Sequence, residues 1–146
     1  MQKYNFSLVL PLYNEQEIVE IALNEILKIN LDNDNSFEII IVNDGSNDLT
    51  STILKKFSLN KNINIITHDR NYGYGRALKT GIKNANTKNI FITDIDGTYP
   101  NNKIVDFYNK FSEKKCDMLV GARDSRSKNI SLVRKPPKYI INKLAN

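Results

Sequence analysis

Apolar and polar positions along this chain switch repeatedly between two periods. Phe6 to Leu10 is a short apolar run closed by Pro11, the pattern of a buried strand. Asn14-Glu15-Gln16-Glu17 then carries a helix-start signature, with Asn14 as N-cap and Glu17 as its capping-box partner. Ile18, Ile21, Ala22, Ile26 and Ile29 follow at helical spacing. Phe37 to Val42 predicts a second strand, and Asp48 to Phe57 a helix with Ile53, Leu54 and Phe57 inward. Ile63 to Thr67 predicts a third strand, and Tyr74 to Asn84 a helix carrying Ala77, Leu78, Ile82 and Ala85. Ile90 to Thr93 reads as the fourth strand, Ile104 to Phe111 as a helix and Met118 to Val120 as a fifth strand.

Strict alternation of strand and helix predicts an α/β fold with a mainly parallel sheet covered on both faces. Right-handed crossovers put every strand's C-terminal end on one edge, where such sheets bind ligands. Each of those ends carries polar chemistry. The first has Tyr13, Asn14 and Glu15, the second Asp44, Gly45 and Ser46, and the third Asp69, Arg70, Asn71, Gly73 and Gly75. The fourth has Asp94 and Asp96, and the fifth Gly121, Arg123 and Asp124.

The fourth end is the sharpest signal. Ile90 to Ile92 delivers Asp94 and Asp96 into a loop broken by Gly97 and Pro100. Paired carboxylates at the end of a buried strand repel each other and lose solvation, and a hard divalent cation relieves both penalties. The alternative is a polar turn capping the helix that starts near Asn101.

Composition narrows the class. The 146 residues amount to one domain, and 40% apolar with 25% charged residues is the balance of a soluble globular protein. The single cysteine, Cys116, excludes an internal disulfide and is expected to be buried; with one histidine, His68, a Cys/His zinc cluster is excluded too. No apolar run reaches the roughly 20 residues of a membrane span, and residues 1–5 lack signal-peptide regions. A cytoplasmic location is the expectation. Charge is uneven: from Arg123 to Asn146 seven cations face one carboxylate, a net +6 in a chain of +5, so the first 122 residues carry −1. Such a segment suits phosphate, an anionic membrane or nucleic acid, or is simply solvated. Tyr139 as its one aromatic argues against a nucleic-acid platform.

Taken in order, several segments resemble a known family. They are Leu10-Pro11-Leu12-Tyr13-Asn14-Glu15, then Ile40-Ile41-Val42-Asn43-Asp44-Gly45-Ser46-Asn47-Asp48, then Arg70-Asn71-Tyr72-Gly73-Tyr74-Gly75 with Ala77 and Gly81. Asp94-Ile95-Asp96-Gly97-Thr98-Tyr99-Pro100 and Asp117-Met118-Leu119-Val120-Gly121-Ala122-Arg123 follow, with Arg134 and Asn142 downstream. The chain resembles the donor-binding half of an inverting family 2 glycosyltransferase, and within it the polyprenyl-phosphate sugar transferases, such as dolichol-phosphate mannose or glucose synthases. The resemblance implies a GT-A (Rossmann-like) three-layer sandwich. It implies that residues 1–146 form one nucleotide-sugar-binding domain without the acceptor-side region of typical relatives: a truncated gene product, a fragment, or a minimal donor-binding domain completed by a partner chain or a homo-oligomer. Asn43 stands where an aspartate is common.

The resemblance also implies roles. Pro11, Tyr13, Glu15 and Asp44 would hold the nucleotide base and ribose of a GDP- or UDP-sugar. The bland readings are a helix-dipole residue for Glu15 and an Asx-turn for Asp44. Asp96 would bind Mg²⁺ or Mn²⁺ with the donor diphosphate, and Asp94 would help through the ribose or the metal shell. Gly73 and Gly75 would let backbone approach closely, or simply make a tight turn. Arg70 would reach phosphate or pair with Asp69. Arg123 and Arg134 would face the diphosphate or an acceptor phosphate. The expected acceptor is a polyprenyl phosphate, and the enzyme would then work peripherally on the inner face of the membrane. A nucleotide-sugar-binding module without transfer activity is one alternative. A haloacid-dehalogenase-type phosphatase, with Asp94 as nucleophile and Asp96 as general acid, is another.

Overall fold

A computed structural model describes residues 4–29, 37–96 and 101–121 of the chain. By contacts the chain divides into two compact units, Met1–Lys110 and Phe111–Asn146. The first unit alternates β1 (Phe6–Leu12), α1 (Val19–Lys28), β2 (Phe37–Asn43), α2 (Thr50–Lys55), β3 (Ile63–Thr67), α3 (Tyr74–Lys83) and β4 (Ile90–Ile92). A 3-10 turn at Asn101–Lys103 leads into α4 (Ile104–Lys114), whose residues to Lys110 belong to this unit.

The strands form one parallel sheet in the order β3-β2-β1-β4. β1 and β2 are buried along their whole length, as strands covered on both faces must be. The register sets the two faces. Phe6 pairs with Phe37, Leu8 with Ile39 and Leu10 with Ile41, so these side chains share one face. There they pack with Val19, Ala22, Leu23 and Ile26 of α1, with Leu54 and with Ile104. The Phe6 ring centroid lies 4.8 to 4.9 Å from those of Phe37, Phe91 and Tyr108 and closes that end of the core. On the opposite face Val9, Ile40 and Val42 pack against Ala77.

α3 therefore covers the face opposite α1. The path from β1 through β2 to β3 runs one way across the sheet, and the return to β4 runs the other way beside β1. With right-handed crossovers, reversing direction moves the helix to the other face. The reversal makes a crevice beyond the C-terminal ends of β1 and β4.

Several expectations need correction. Asn14 does not cap α1, which begins at Val19 after Ile18, a residue with no side-chain cap. Asn14 instead takes a left-handed conformation, φ 58°, and its side chain bonds to the loop after β2. Ala22 and Ile26 point inward with Val19 and Leu23, and Ile18 and Ile29 pack beside them, but Ile21 is exposed. Ile82 is exposed as well, because α3 lies so close to the sheet that the small side of the helix, Ala77 and Gly81, faces it. Residues 118–120 are not a strand. Met118 and Val120 are 78% and 71% exposed, and among the described residues no neighbouring strand pairs with them. Cys116 is only partly buried.

Candidate functional site

The loops after β1 and β2 are tied together by their own polar residues. Asn14 N–H donates to Ser46 Oγ, and Asn47 N–H to Asn14 Oδ1, each at 2.9 Å. Glu15 N–H donates to Thr50 Oγ1, Gln16 N–H to Asp48 Oδ2, and Leu49 N–H to Gln16 Oε1. Asn43, fully buried, donates to Ser51 Oγ and accepts from Ser46 N–H. Burial alone would raise the Asp48 pKa, but hydrogen bonds from Thr50 and from Gln16 N–H outweigh it and hold the carboxyl below its ordinary value. Loops satisfied by side chains in this way hold a fixed shape.

Asp44 anchors a third loop. It is buried at the end of β2, and its Oδ1 lies 2.6 Å from His68 Nδ1. The same carboxylate accepts from Tyr72 N–H at 3.1 and 3.2 Å and from Gly73 N–H at 2.7 Å. Gly73 precedes the first turn of α3, where a negative charge is stabilised by the helix N-terminus. Burial pushes the Asp44 pKa up, but the hydrogen bonds from His68, Tyr72 and Gly73 prevail and lower it. Gly45, next in sequence, has φ +67°, and a Cβ there would stand 2.2 Å from Arg70 C and 2.6 Å from Asn71 N. A side chain at that position would force the two loops apart. Gly73 has φ +89° with open space around it. Gly75 is helical and not left-handed, with no protein atom within 4 Å of where a Cβ would stand.

These loops border a cleft of about 340 Å³ at the crevice beside β1 and β4. Pro11, Tyr13, Glu15, Asp44, Asp94 and Asp96 all line it, joined by Leu12, Asn71, Tyr74, Ala77 and Ile95. Its size is within the range of small-molecule sites. Six of the residues singled out from the sequence thus meet in one place. Gly73 is not one of the lining residues but donates its N–H to Asp44, which is. Arg70 is exposed and places its guanidinium 5.0 Å from the centre of the Tyr72 ring. Arg123, Arg134 and residues 97–100 lie outside the described residues.

Sequence reading missed His68 and Tyr74. His68 follows β3 directly, at the binding edge of the sheet, a position that could have flagged it. Tyr74 donates its hydroxyl to Asp94 Oδ1 at 3.1 Å. No spacing rule links residues so far apart in sequence.

The cleft is negatively charged at one end. Burial raises the Glu15 pKa, and the charges of Asp96, Asp48 and Asp94 raise it further. An oxygen-donor set with excess negative charge fits a hard divalent cation. Among the described residues no group of three or more His, Cys, Asp or Glu could hold a metal by itself. A cation at Asp94 and Asp96 would take the rest of its shell from ligand phosphate and water, as Mg²⁺ commonly does.

Comparison with known proteins agrees with this architecture. Dodecaprenyl-phosphate galacturonate synthase of Rhizobium johnstonii is 28% identical over 148 residues, covering 99% of this chain and 43% of that protein. TarS 1–349 of S. aureus in complex with UDP-GlcNAc superposes with a TM-score of 0.63 at 25% identity, over 75% of this chain and 31% of that one. The mannosyltransferase PcManGT of Pyrobaculum calidifontis, in complex with GDP-Man and Mn²⁺, superposes with a TM-score of 0.60 at 22% identity, over 68% of this chain and 30% of that one. The chain spans less than half the length of the curated relatives it matches. The family described as "Glycosyl transferase family 2" matches residues 7–146, and with the parallel sheet and the cleft at its reversal point, the chain belongs to that family.

Proposed function

We propose that the cleft binds a nucleotide-sugar donor and that the protein transfers the sugar, with inversion, to a polyprenyl phosphate. The observation that carries this reading is the convergence of Pro11, Tyr13, Glu15, Asp44, Asp94 and Asp96 on one cleft from three separate strand ends.

Tyr13, 40% exposed at the rim, offers an aromatic face to a base. Glu15 offers a carboxyl group to base N–H or ribose hydroxyl groups. Asp94 and Asp96 would hold Mg²⁺ or Mn²⁺ together with the donor diphosphate, and the ion when bound neutralises the charge of the departing nucleoside diphosphate. Tyr74, through its hydrogen bond, restricts the orientation of Asp94. In the transfer an acceptor oxygen bonds to the anomeric carbon while the bond from that carbon to the diphosphate oxygen breaks. A phosphate acceptor is already ionised near neutral pH, so the step requires no strong base from the chain.

The acceptor class rests on the relative that bears a dodecaprenyl-phosphate name and on the basic segment from Arg123 to Asn146. A net +6 there would draw an anionic, lipid-borne acceptor. Among the described residues no helix is long and apolar enough to cross a membrane. The phosphatase alternative fits poorly, because the strand leading to Asp94 and Asp96 is the last in sequence among the described strands and the family match spans the loops that precede it.

The test is release of nucleoside diphosphate from UDP- and GDP-sugars, with Mn²⁺, in the presence of short-chain polyprenyl phosphate. Release that depends on the acceptor supports transfer. Donor binding without release would leave a binding module, and the absence of both would reject the reading.

A further inference from the structure

We propose that His68 is a positioning residue of the donor site, acting through the Asp44 carboxylate rather than on the ligand. The inference rests on the nucleotide reading of the cleft.

The His68 side chain is 11% exposed, and both ring nitrogens are engaged. Nδ1 faces Asp44 Oδ1 at 2.6 Å, and Nε2 lies 3.0 Å from Thr80 Oγ1 on α3. A carboxylate only accepts, so Nδ1 carries the proton. In the neutral ring, Nε2 then accepts from the Thr80 hydroxyl, which fixes both tautomer and ring plane. The main-chain N–H of His68 donates to Asn43 O at 2.9 Å and ties the same residue to the end of β2.

The consequence falls on the loop before α3. Asp44 has two oxygens and receives three partners from the protein itself, His68, Tyr72 N–H and Gly73 N–H. Its carboxylate is committed to the 72–73 backbone. That backbone leads directly into Tyr74 and follows Asn71, both of which line the cleft. Gly45 lies against the Arg70-Asn71 backbone of the same loop and leaves no room there for a side chain. His68 thus orients the clamp that fixes one wall of the donor site. Asp44 acts on the donor through this wall as well as by its place in the lining.

Two substitutions separate the halves of the imidazole. His68→Asn places an amide where Nδ1 stands and can keep the bond to Asp44. His68→Gln reaches the Nε2 position and can keep the bond to Thr80 only. Both remove the same ring from a largely buried site, so a merely structural role affects both alike. Calorimetric titration of UDP and GDP with Mn²⁺, thermal melting, and hydrogen exchange at the Tyr72 and Gly73 amides would be measured on both variants and the parent protein. The expected result is about a tenfold or greater loss of nucleotide affinity in His68→Gln, from losing a hydrogen bond to a charged group. His68→Asn should stay within about threefold of the parent, a fraction of one such bond. The two amides should lose exchange protection in His68→Gln only, and His68→Gln should melt below His68→Asn, because it loses the stronger, charge-assisted bond, with both variants folded at the temperature of the titration. Equal affinities in both variants, or a weaker His68→Asn, would overturn the positioning role while leaving the nucleotide reading intact. Failure of the parent protein to bind any nucleotide would overturn both.

Discussion

Gly81 allows α3 to sit close enough to the sheet to bring its first turn to the cleft. A Cβ at this position would stand 2.4 Å from Val9 Cγ1 and 3.3 Å from Val42 Cγ2. Two opposing effects act on Gly81→Ala. Alanine in a helix interior gains about 0.8–1 kcal/mol over glycine. Forcing a methyl group into a filled core costs about 1–3 kcal/mol. The net expectation is a loss of about 0–2 kcal/mol, too close to zero to decide the matter alone. A double-mutant cycle with Val9→Ala decides it. Val9 is fully buried, and removing its two methyl groups costs about 1.6 kcal/mol in transfer free energy, before any cavity term. In the double variant the methyl group introduced at position 81 enters the space vacated by Cγ1, the clash disappears and the helix gain remains. The double variant should therefore be at least as stable as Val9→Ala alone. The coupling free energy should be about 1 kcal/mol or more in the favourable direction. Urea unfolding followed by circular dichroism, with a common slope for the four proteins, gives the cycle. Additivity within about 0.5 kcal/mol would refute the close packing of α3 on β1.

Three further substitutions test the site and its support. Gly45→Ala combines left-handed strain of about 1–2 kcal/mol with overpacking of about 1–3 kcal/mol against the Arg70-Asn71 backbone; urea unfolding should show a loss of at least about 1.5 kcal/mol, and a neutral result would contradict the loop contact. Asp44→Asn should cost about 1–3 kcal/mol at neutral pH. Because folding lowers the Asp44 pKa below 3.8, the carboxylate's stabilisation is complete above that value and is lost as pH falls through the folded pKa, so the difference should shrink in acid. A difference that stays constant across acid titration of the melting temperature would be inconsistent with this. Glu38, buried at the opposite end of β2, accepts from Ser7 Oγ and from both the N–H and the amide of Asn86. Glu38→Ala should cost about 2–4 kcal/mol in the same unfolding assay, yet leave nucleotide affinity unchanged in the surviving folded fraction.

The layout of the fold was legible because strands buried on both faces leave continuous apolar runs. Phe6 to Leu10 and Phe37 to Val42 are such runs, and each matches a strand; Ile63 to Thr67 matches the edge strand β3, which is only partly buried. The cleft was legible for a related reason: parallel topology sends all strand ends to one edge, so polar residues just after each run must meet. Chemistry that depends on side-chain conformation was not legible. Asn14 has the composition of a helix cap, but its side chain bonds to Asn47, a partner visible only once the loops are folded together. His68 stood alone in the sequence, and its partners Asp44 and Thr80 lie on different elements. Met118 to Val120 has the composition of a strand, but apolar alternation does not supply a neighbour to pair with.

The central claim is that the cleft beside β1 and β4 is a metal-assisted nucleotide-sugar site. The most direct test is calorimetric titration of UDP- and GDP-sugars into the protein and into Asp96→Ala, with Mn²⁺ and then with EDTA. Saturable binding of one donor class by the parent protein, lost in EDTA and lost in a still-folded Asp96→Ala, is the predicted result. Binding that persists undiminished in Asp96→Ala with EDTA would contradict the metal assignment, and no binding of either donor class by folded parent protein would contradict the site itself.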